Sequence, residues 1–287
     1  MHSEIFIIGA GRLGTTLAYA IQSVQFRIRH FYNYSDRNID NLRNHFPGVS
    51  IWNELDIKAL NECDTFFLTV RDDLLPALIS TLKNLDISWE NKIFIHTSGL
   101  LTSSILLPLA KKGSDVASMH PMQTFSSKFI PSNIFHGVYL VCEGTPPAMI
   151  YCKNIARKLK ANFLSIKSTS KVPYHLAGTV AANLFFALID ISDKLFNECG
   201  ITKNIRKNII ESLTRQVIEN YKHAGAKSSL TGPLVRGDII TIQQHLNHIS
   251  ENHPEIRAIY QNLSNYILNE ILNSDSKRKN NLKSLFE

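Results

Sequence analysis

Six residues near the N-terminus constrain the fold of this chain more than any other segment: Gly9-Ala10-Gly11-Arg12-Leu13-Gly14. They follow the apolar run Ile5–Ile8 and open a stretch with helical spacing of apolar residues. In such a turn the first glycine permits the tight bend, the second admits a pyrophosphate, and the third allows close helix packing. The N–H groups of the helix N-terminus attract phosphate. We therefore predict a strand, a turn and a helix in which all six residues bind a dinucleotide.

The rest of the chain changes character once. Strand-like and helical segments alternate up to about residue 112, and three further strand-like runs precede residue 167. Such alternation is typical of a parallel sheet covered by helices on both faces. Beyond residue 167 the chain shows only long helical stretches. We predict an α/β fold, with a doubly wound dinucleotide-binding domain over residues 1–167 and an all-helical substrate and dimerisation domain over residues 168–287.

Composition excludes several classes of protein. Of the 287 residues, 44% are hydrophobic and 19% are charged, as in soluble globular proteins. No apolar run suffices to cross a bilayer and no export signal precedes the first strand, so we expect a cytoplasmic protein without a membrane partner. The net charge of +7 is spread thinly, which argues against nucleic acid and favours an anionic cofactor or substrate. The four cysteines form no metal-binding or redox spacing, so we expect buried free thiols and no metal.

The choice between NAD and NADP depends on the residues after the second predicted strand, Tyr34-Ser35-Asp36-Arg37. Asp36 could accept hydrogen bonds from the ribose 2′-hydroxyl of NAD. Alternatively, Ser35 and Arg37 could bind the 2′-phosphate of NADP, with Asp36 capping the next helix. We favour NADP and leave NAD open. Val70 and Ser98, near the ends of later predicted strands, are also expected to contact the cofactor.

Two histidines are candidates for donating a proton during the reaction. His96 ends one predicted strand, and His120 lies at the end of the next. Ligands of open α/β sheets bind at these strand ends. Because imidazole titrates near neutral pH, either histidine could give a proton to a carbonyl or imine as hydride arrives. The alternative for each is a structural histidine bonded to backbone groups.

Further polar residues lie in the predicted helical domain. His175, Thr179 and Asn183 recur every four residues on one face of a helix among small apolar neighbours. They could contact the substrate, or they could form an interhelix hydrogen-bond network. Arg236 could bind a substrate carboxylate or phosphate, or it could pair with an acid elsewhere. Asp238 is expected to cap the helix that follows it.

Taken in order, these segments resemble the bacterial proteins that join a Rossmann-like domain to a domain of unknown function 2520. The residues that carry the resemblance are Gly9-Ala10-Gly11-Arg12-Leu13-Gly14, His96-Thr97-Ser98-Gly99, His120-Pro121-Met122-Gln123-Thr124-Phe125, Tyr174-His175 with Asn183, and Leu230-Thr231-Gly232-Pro233 with Arg236-Gly237-Asp238. One departure is Arg71, where related proteins often have proline before an acidic residue.

The resemblance implies a Rossmann domain followed by an all-helical dimerising domain like that of 6-phosphogluconate dehydrogenase. Ketopantoate reductase, pyrroline-carboxylate reductase and prephenate dehydrogenase are of this kind, and the last also carries a His-Pro-Met like His120-Pro121-Met122. The resulting hypothesis is an NADP-dependent oxidoreductase, forming a homodimer and acting on a small carbonyl, imine or hydroxy acid. His120, His175, Asn183, Arg236 and His96 are its candidate catalytic residues. The competing hypothesis is a dinucleotide-binding regulator without catalysis.

Overall fold

A computed structural model describes residues 3–34, 39–272, 282 and 284–286 of the chain. The fold divides into two compact units, one up to Asn183 and one from Leu184 onward. The predicted domain boundary between residues 167 and 168 stays a prediction, because compactness alone does not show where a domain folds independently.

The first unit contains one sheet of eight strands. They are β1 (Glu4–Ile8), β2 (Arg27–Tyr32), β3 (Ser50–Trp52), β4 (Thr65–Leu68), β5 (Ile93–His96), β6 (Asp115–Pro121), β7 (Tyr139–Gly144) and β8 (Asn162–Ser165). Their order across the sheet is β3-β2-β1-β4-β5-β6-β7-β8. The first six strands follow the doubly wound order typical of dinucleotide-binding sheets, which confirms the predicted fold class.

The sheet is parallel except where β6 meets β7. Between these strands the chain forms a single short 3-10 turn, Ser132–Phe135. A parallel return usually crosses one face of the sheet as an α-helix, and this connection contains none, so β7 comes back antiparallel. The predicted parallel sheet therefore contains one antiparallel pair at its β7–β8 side.

Helices cover both faces of the sheet. They are α1 (Arg12–Ser23), α2 (Ile39–His45), α3 (Ile57–Glu62), α4 (Leu75–Lys83), α5 (Leu107–Ala110), α6 (Pro146–Lys158) and α7 (Lys171–Gly178). Alternate residues of β1 enter opposite cores: Ile5 and Ile7 pack on one side, and Phe6 and Ile8 on the other. This double burial explains why the strand is a continuous apolar run.

The second unit is helical in its described residues. Its helices are α8 (Phe185–Glu198), α9 (Lys203–Ser229), α10 (Pro233–Arg236), α11 (Ile239–Asn252) and α12 (Pro254–Tyr266). Ile242 and Leu246 of α11 form a small core with Leu268. Asp238 caps α11 by accepting a hydrogen bond from the Thr241 N–H at 3.1 Å, as predicted.

Two sequence expectations need adjustment. All four cysteines are free, as expected, but Cys199 is exposed rather than buried. Within the described part of the chain, one helical stretch, Ser168–Glu198, passes the length and hydropathy criteria for a membrane span, with a mean hydropathy of 1.5. A helix of a water-soluble protein can pass the same criteria, so the expectation of no membrane partner stays a prediction.

Candidate active site

The turn after β1 depends on two glycines that approach neighbouring backbone closely. Gly9 has a φ of +112°, and a Cβ there would lie 2.9 Å from the carbonyl carbon of Thr69. A Cβ on Gly14 would lie 2.1 Å from the Gly9 carbonyl oxygen. Both distances are below van der Waals contact, so only glycine lets α1 pack this tightly against the turn.

Gly11 differs from these two because its surroundings are open. It is the N-cap of α1 in an extended conformation, and a Cβ there would meet no atom within 4 Å. No side chain caps the helix and its first turn contains no acidic residue. The first N–H groups of α1 therefore lack a side-chain acceptor, and the positive end of the helix dipole faces an open site. This arrangement fits the pyrophosphate of a dinucleotide.

A threonine that sequence reasoning overlooked holds the turn in place. The Thr69 hydroxyl, just beyond β4, donates to the Gly9 carbonyl oxygen at 2.6 Å. This bond joins the ends of the two central strands, β1 and β4. Val70, the next residue and a predicted cofactor contact, is half-buried against the core below. The local signal was a hydroxyl residue at the carboxyl end of a strand predicted to adjoin the glycine turn.

The residues predicted to contact the cofactor ribose follow Tyr34 in the sequence. Ser35, Asp36 and Arg37 lie outside the described residues, so the choice between NADP and NAD stays a prediction. Tyr34, which precedes them, is exposed.

Arg71 keeps the backbone shape that proline would impose. Its φ is −62°, which matches the angle that a proline ring fixes. Its guanidinium forms a two-pronged ion pair with the Asp73 carboxylate, at 3.0 and 2.7 Å. Arg71 therefore adopts a backbone angle that proline at this position would also adopt.

A cavity of about 240 Å³ lies beside the carboxyl end of β6. Three predicted catalytic residues, His120, His175 and Asn183, line it. Its other lining residues are Met122, Gln123, Thr124, Gly178, Thr179, Ala181 and Ala182. A larger surface hollow of about 570 Å³, near Met149, is lined by none of the predicted site residues.

The lining helix departs from α-helical geometry inside this cavity. A π-helical segment, Thr179–Leu184, continues directly from α7. The predicted helix therefore continues through this region with π geometry, and His175, Thr179 and Asn183 share the cavity. Such wide turns cost backbone hydrogen-bond geometry and are frequent at functional sites.

Because Gly99 has no side chain, the rings of His120 and His175 can lie close together. A Cβ on Gly99 would lie 2.6 Å from Cδ2 of His175 and 2.9 Å from Nε2 of His120. The two imidazole centroids are 6.3 Å apart. Gly99 thus supplies the space in which the two rings pack.

The hydrogen bond from Tyr174 sets the orientation of His120. Nδ1 of His120 lies 2.6 Å from the Tyr174 hydroxyl oxygen. Burial raises the pKa of Tyr174, so the hydroxyl keeps its proton and can donate it to Nδ1 of a neutral His120. In that tautomer the ring proton is on Nε2, toward Gly99 and His175.

His120 is neutral at physiological pH. Burial, and then the nearby Lys171 and His175, lower its pKa to about 4. Lys171 itself is 2% exposed, and its Nζ donates to the Ser98 carbonyl at 2.9 Å and to the Ser118 hydroxyl at 2.7 Å. Burial also lowers the pKa of Lys171. The site therefore combines a neutral imidazole donor with a buried amine beneath it.

His96 and Ser98 have different surroundings from those predicted. His96 is fully buried, does not line the cavity, and has a pKa lowered to about 4 by burial and by Lys171. Its Nδ1 accepts the Ser98 N–H at 3.2 Å, and Nε2 has no hydrogen-bond partner. The Ser98 hydroxyl donates to Asp72 at 2.7 Å. These contacts favour His120 over His96 as the proton donor and occupy Ser98 within the chain.

The remaining catalytic candidate, Arg236, belongs to the second unit. It is an exposed side chain at the end of the short helix α10, between Gly232 and Gly237, whose φ values are +102° and +69°. Its assignment as an anion-binding residue stays a prediction.

Two domain families match most of the chain. A Rossmann-like domain matches residues 2–121, and the domain of unknown function DUF2520 matches residues 138–267. The chain therefore combines a Rossmann-like domain with a domain of unknown function DUF2520, as the sequence motifs indicated. No curated protein matches the sequence.

Solved structures share the whole architecture. A candidate NADP oxidoreductase from Bacteroides fragilis is 21% identical, with 92% of this chain and 97% of that chain covered and a TM-score of 0.76. A Thermotoga maritima protein is 23% identical, with 94% and 100% covered and a TM-score of 0.75. Plasmodium falciparum pyrroline carboxylate reductase with NADP bound is 13% identical, with 99% and 98% covered and a TM-score of 0.61. At these identities the likeness shows a common fold.

Proposed function

We propose that this chain is an NADP(H)-dependent oxidoreductase that transfers hydride to or from a small carbonyl, imine or hydroxy-acid substrate. One observation carries the proposal: the open, uncapped N-terminus of α1 and the histidine-lined cavity lie at the same edge of one sheet. That edge, at the carboxyl ends of parallel strands, is where such folds bind dinucleotides and their substrates.

For the cofactor, the residues present fit a dinucleotide phosphate. Gly9 and Gly14 shape the turn, and Gly11 leaves its space open. Ser35 and Arg37 are our candidates for the 2′-phosphate, with Asp36 as the ribose reader if NAD is the cofactor. A nicotinamide cofactor supplies the hydride, while the protein supplies orientation and a proton. A structural neighbour solved with NADP bound supports NADP as the choice.

On the substrate side, His120 is the proposed proton donor: as Nε2 gives its proton to the substrate, Nδ1 takes the hydroxyl proton of Tyr174, which regains a proton from solvent. Its ring is held by Tyr174 and turns Nε2–H toward the space shared with His175. A neutral imidazole can donate this hydrogen bond to a carbonyl oxygen or imine nitrogen as negative charge develops there. Asn183 lines the same cavity and can orient the substrate. We further propose that Arg236 binds an anionic group of the substrate.

The cofactor assignment is tested by calorimetric titration of the full chain with NADPH and NADH. We expect tighter binding of NADPH, and we expect Arg37→Ala to remove most of the preference while Arg43→Ala, a nearby exposed arginine, leaves it unchanged. Equal binding of both cofactors by the unmodified chain would assign the ribose contact to Asp36 instead.

Catalysis is tested by following NADPH absorbance with panels of cyclic imines and 2-oxoacids. We expect turnover with at least one panel member, and a loss on the order of a hundredfold in His120→Ala with NADPH affinity retained. Tight NADPH binding without turnover of any panel member would favour the regulatory hypothesis.

Assembly and location complete the proposal. We propose a homodimer formed mainly by the second unit, because α9 exposes an apolar stripe of Leu213, Val217 and Tyr221.

A cytoplasmic location is proposed on the four free thiols, which suit a reducing compartment.

A further inference from the structure

Three side chains of the second unit meet at one point although they are far apart in sequence. Glu198 ends α8, His248 lies one turn before the end of α11, and His253 is the single residue between α11 and α12. Each offers one ligand atom, and these three atoms lie within 4.8 Å of one another. We propose that this cluster is a binding site for a divalent transition metal, of which Zn²⁺ is the natural candidate.

The donor set points to this class of ion. Nε2 of His248 lies 3.0 Å from one oxygen of Glu198, and Nε2 of His253 contacts the other oxygen. Two imidazole nitrogens and one carboxylate form a common zinc ligand set, which leaves a fourth position for water or a ligand from solution. Imidazole ligands suit Zn²⁺, Cu²⁺ or Ni²⁺, whereas Mg²⁺ and Ca²⁺ prefer oxygen alone.

A carboxylate behind one imidazole supports the same role. Nδ1 of His253 lies 3.6 Å from a carboxylate oxygen of Glu255. Histidine ligands of metals almost always hydrogen-bond through their second nitrogen, often to a carboxylate, and such a contact orients the ring and strengthens it as a ligand.

The backbone brings the ligands together without long flexible segments. His253 has φ −143° and ψ 59°, and Pro254 begins α12 immediately after it. The two histidines are therefore fixed by one sharp junction, while Glu198 comes from a helix fifty residues earlier in the chain. A metal bound here would tie the end of α8 to the α11–α12 junction.

The site is tested on the full, tag-free chain by calorimetric titration with Zn²⁺, after dialysis against a chelator. We expect one Zn²⁺ per chain, and a rise in melting temperature on the order of 5 °C at a hundredfold excess over Kd. Mg²⁺ at the same concentration should produce neither effect. An absence of saturable Zn²⁺ binding would overturn the proposal.

Matched variants locate the binding. His248→Ala combined with His253→Ala should weaken Zn²⁺ binding at least tenfold, whereas His136→Ala combined with His223→Ala removes two exposed histidines elsewhere and should leave it unchanged. Glu198→Gln, which keeps the shape but removes the charged ligand, should also weaken binding tenfold. Circular dichroism of each variant confirms folding. Equal binding in the two double variants would show that the cluster is only a hydrogen-bonded clamp.

Discussion

Gly11 is the residue at which binding and stability can be separated. An N-cap aspartate normally stabilises a helix, and the extended backbone of Gly11 can accommodate one. Its carboxylate would, however, occupy the open space and repel a pyrophosphate. We expect Gly11→Asp to keep or raise the melting temperature and to weaken NADPH binding at least tenfold.

Gly11→Ser is the matched control for that prediction, because serine caps the helix without a charge. It should bind NADPH more tightly than Gly11→Asp, as measured by fluorescence titration. Unchanged NADPH affinity in Gly11→Asp would mean that the cofactor phosphates lie elsewhere.

The buried His96 should make the protein sensitive to acid. Its pKa falls from 6.5 in the unfolded chain to about 4 in the fold, so the neutral ring stabilises the fold above pH 6.5. As the pH drops from 6.5 toward 4, the unfolded chain takes up a proton that the folded chain refuses, and stability is lost. This shift corresponds to a loss on the order of 3 kcal/mol.

Urea unfolding of wild type and His96→Gln between pH 7 and pH 4 measures the effect. We expect a flatter pH dependence in His96→Gln, whatever its stability at pH 7. His136→Gln, at an exposed histidine, should retain the wild-type slope. If His96→Gln also retains it, the acid sensitivity comes from other groups.

At the scale of elements, the turn after β5 packs against the histidines of β6 and α7. A methyl group on Gly99 would overlap both rings, and Tyr174 restricts the movement of His120. We expect Gly99→Ala to lower stability by about 1–3 kcal/mol, as overpacking does, and to leave NADPH binding intact.

A double-mutant cycle identifies the contact. In a His175→Ala background the new methyl group gains space, so Gly99→Ala should cost less there than in the wild type. Additive losses in urea unfolding would show that the ring of His175 does not confine Gly99.

For the whole molecule, the proposed dimer gives a decisive measurement. Multi-angle light scattering at micromolar concentration should report twice the chain mass of 32.4 kDa. Val217→Glu places a charge in the exposed stripe of α9 and should shift the mass toward the monomer, because a buried unpaired charge is costly. Gln216→Glu adds the same charge at the adjacent position and should leave the dimer intact. A wild-type monomer would remove the proposal.

Much of the molecule could be predicted from local patterns. The glycine turn after Ile5–Ile8 predicted the doubly wound sheet, because strand periodicity and turn chemistry are local properties. The short elements β3 and α3 escaped prediction, since three and six residues are too few to show a period. Asp238 at the start of α11 was likewise readable from local rules.

What the sequence determined by itself was the fold class, the glycine turn after β1 and the histidine at the end of β6, since each depends on residues adjacent in the chain. Only the tertiary structure decided which polar residues meet. Thr69 bonds to Gly9, Tyr174 to His120, and the carboxylate of Glu198 to two distant histidines. Burial, which lowers the pKa values of His96 and His120, is likewise decided only when the strands and helices pack, because desolvation depends on every neighbouring element.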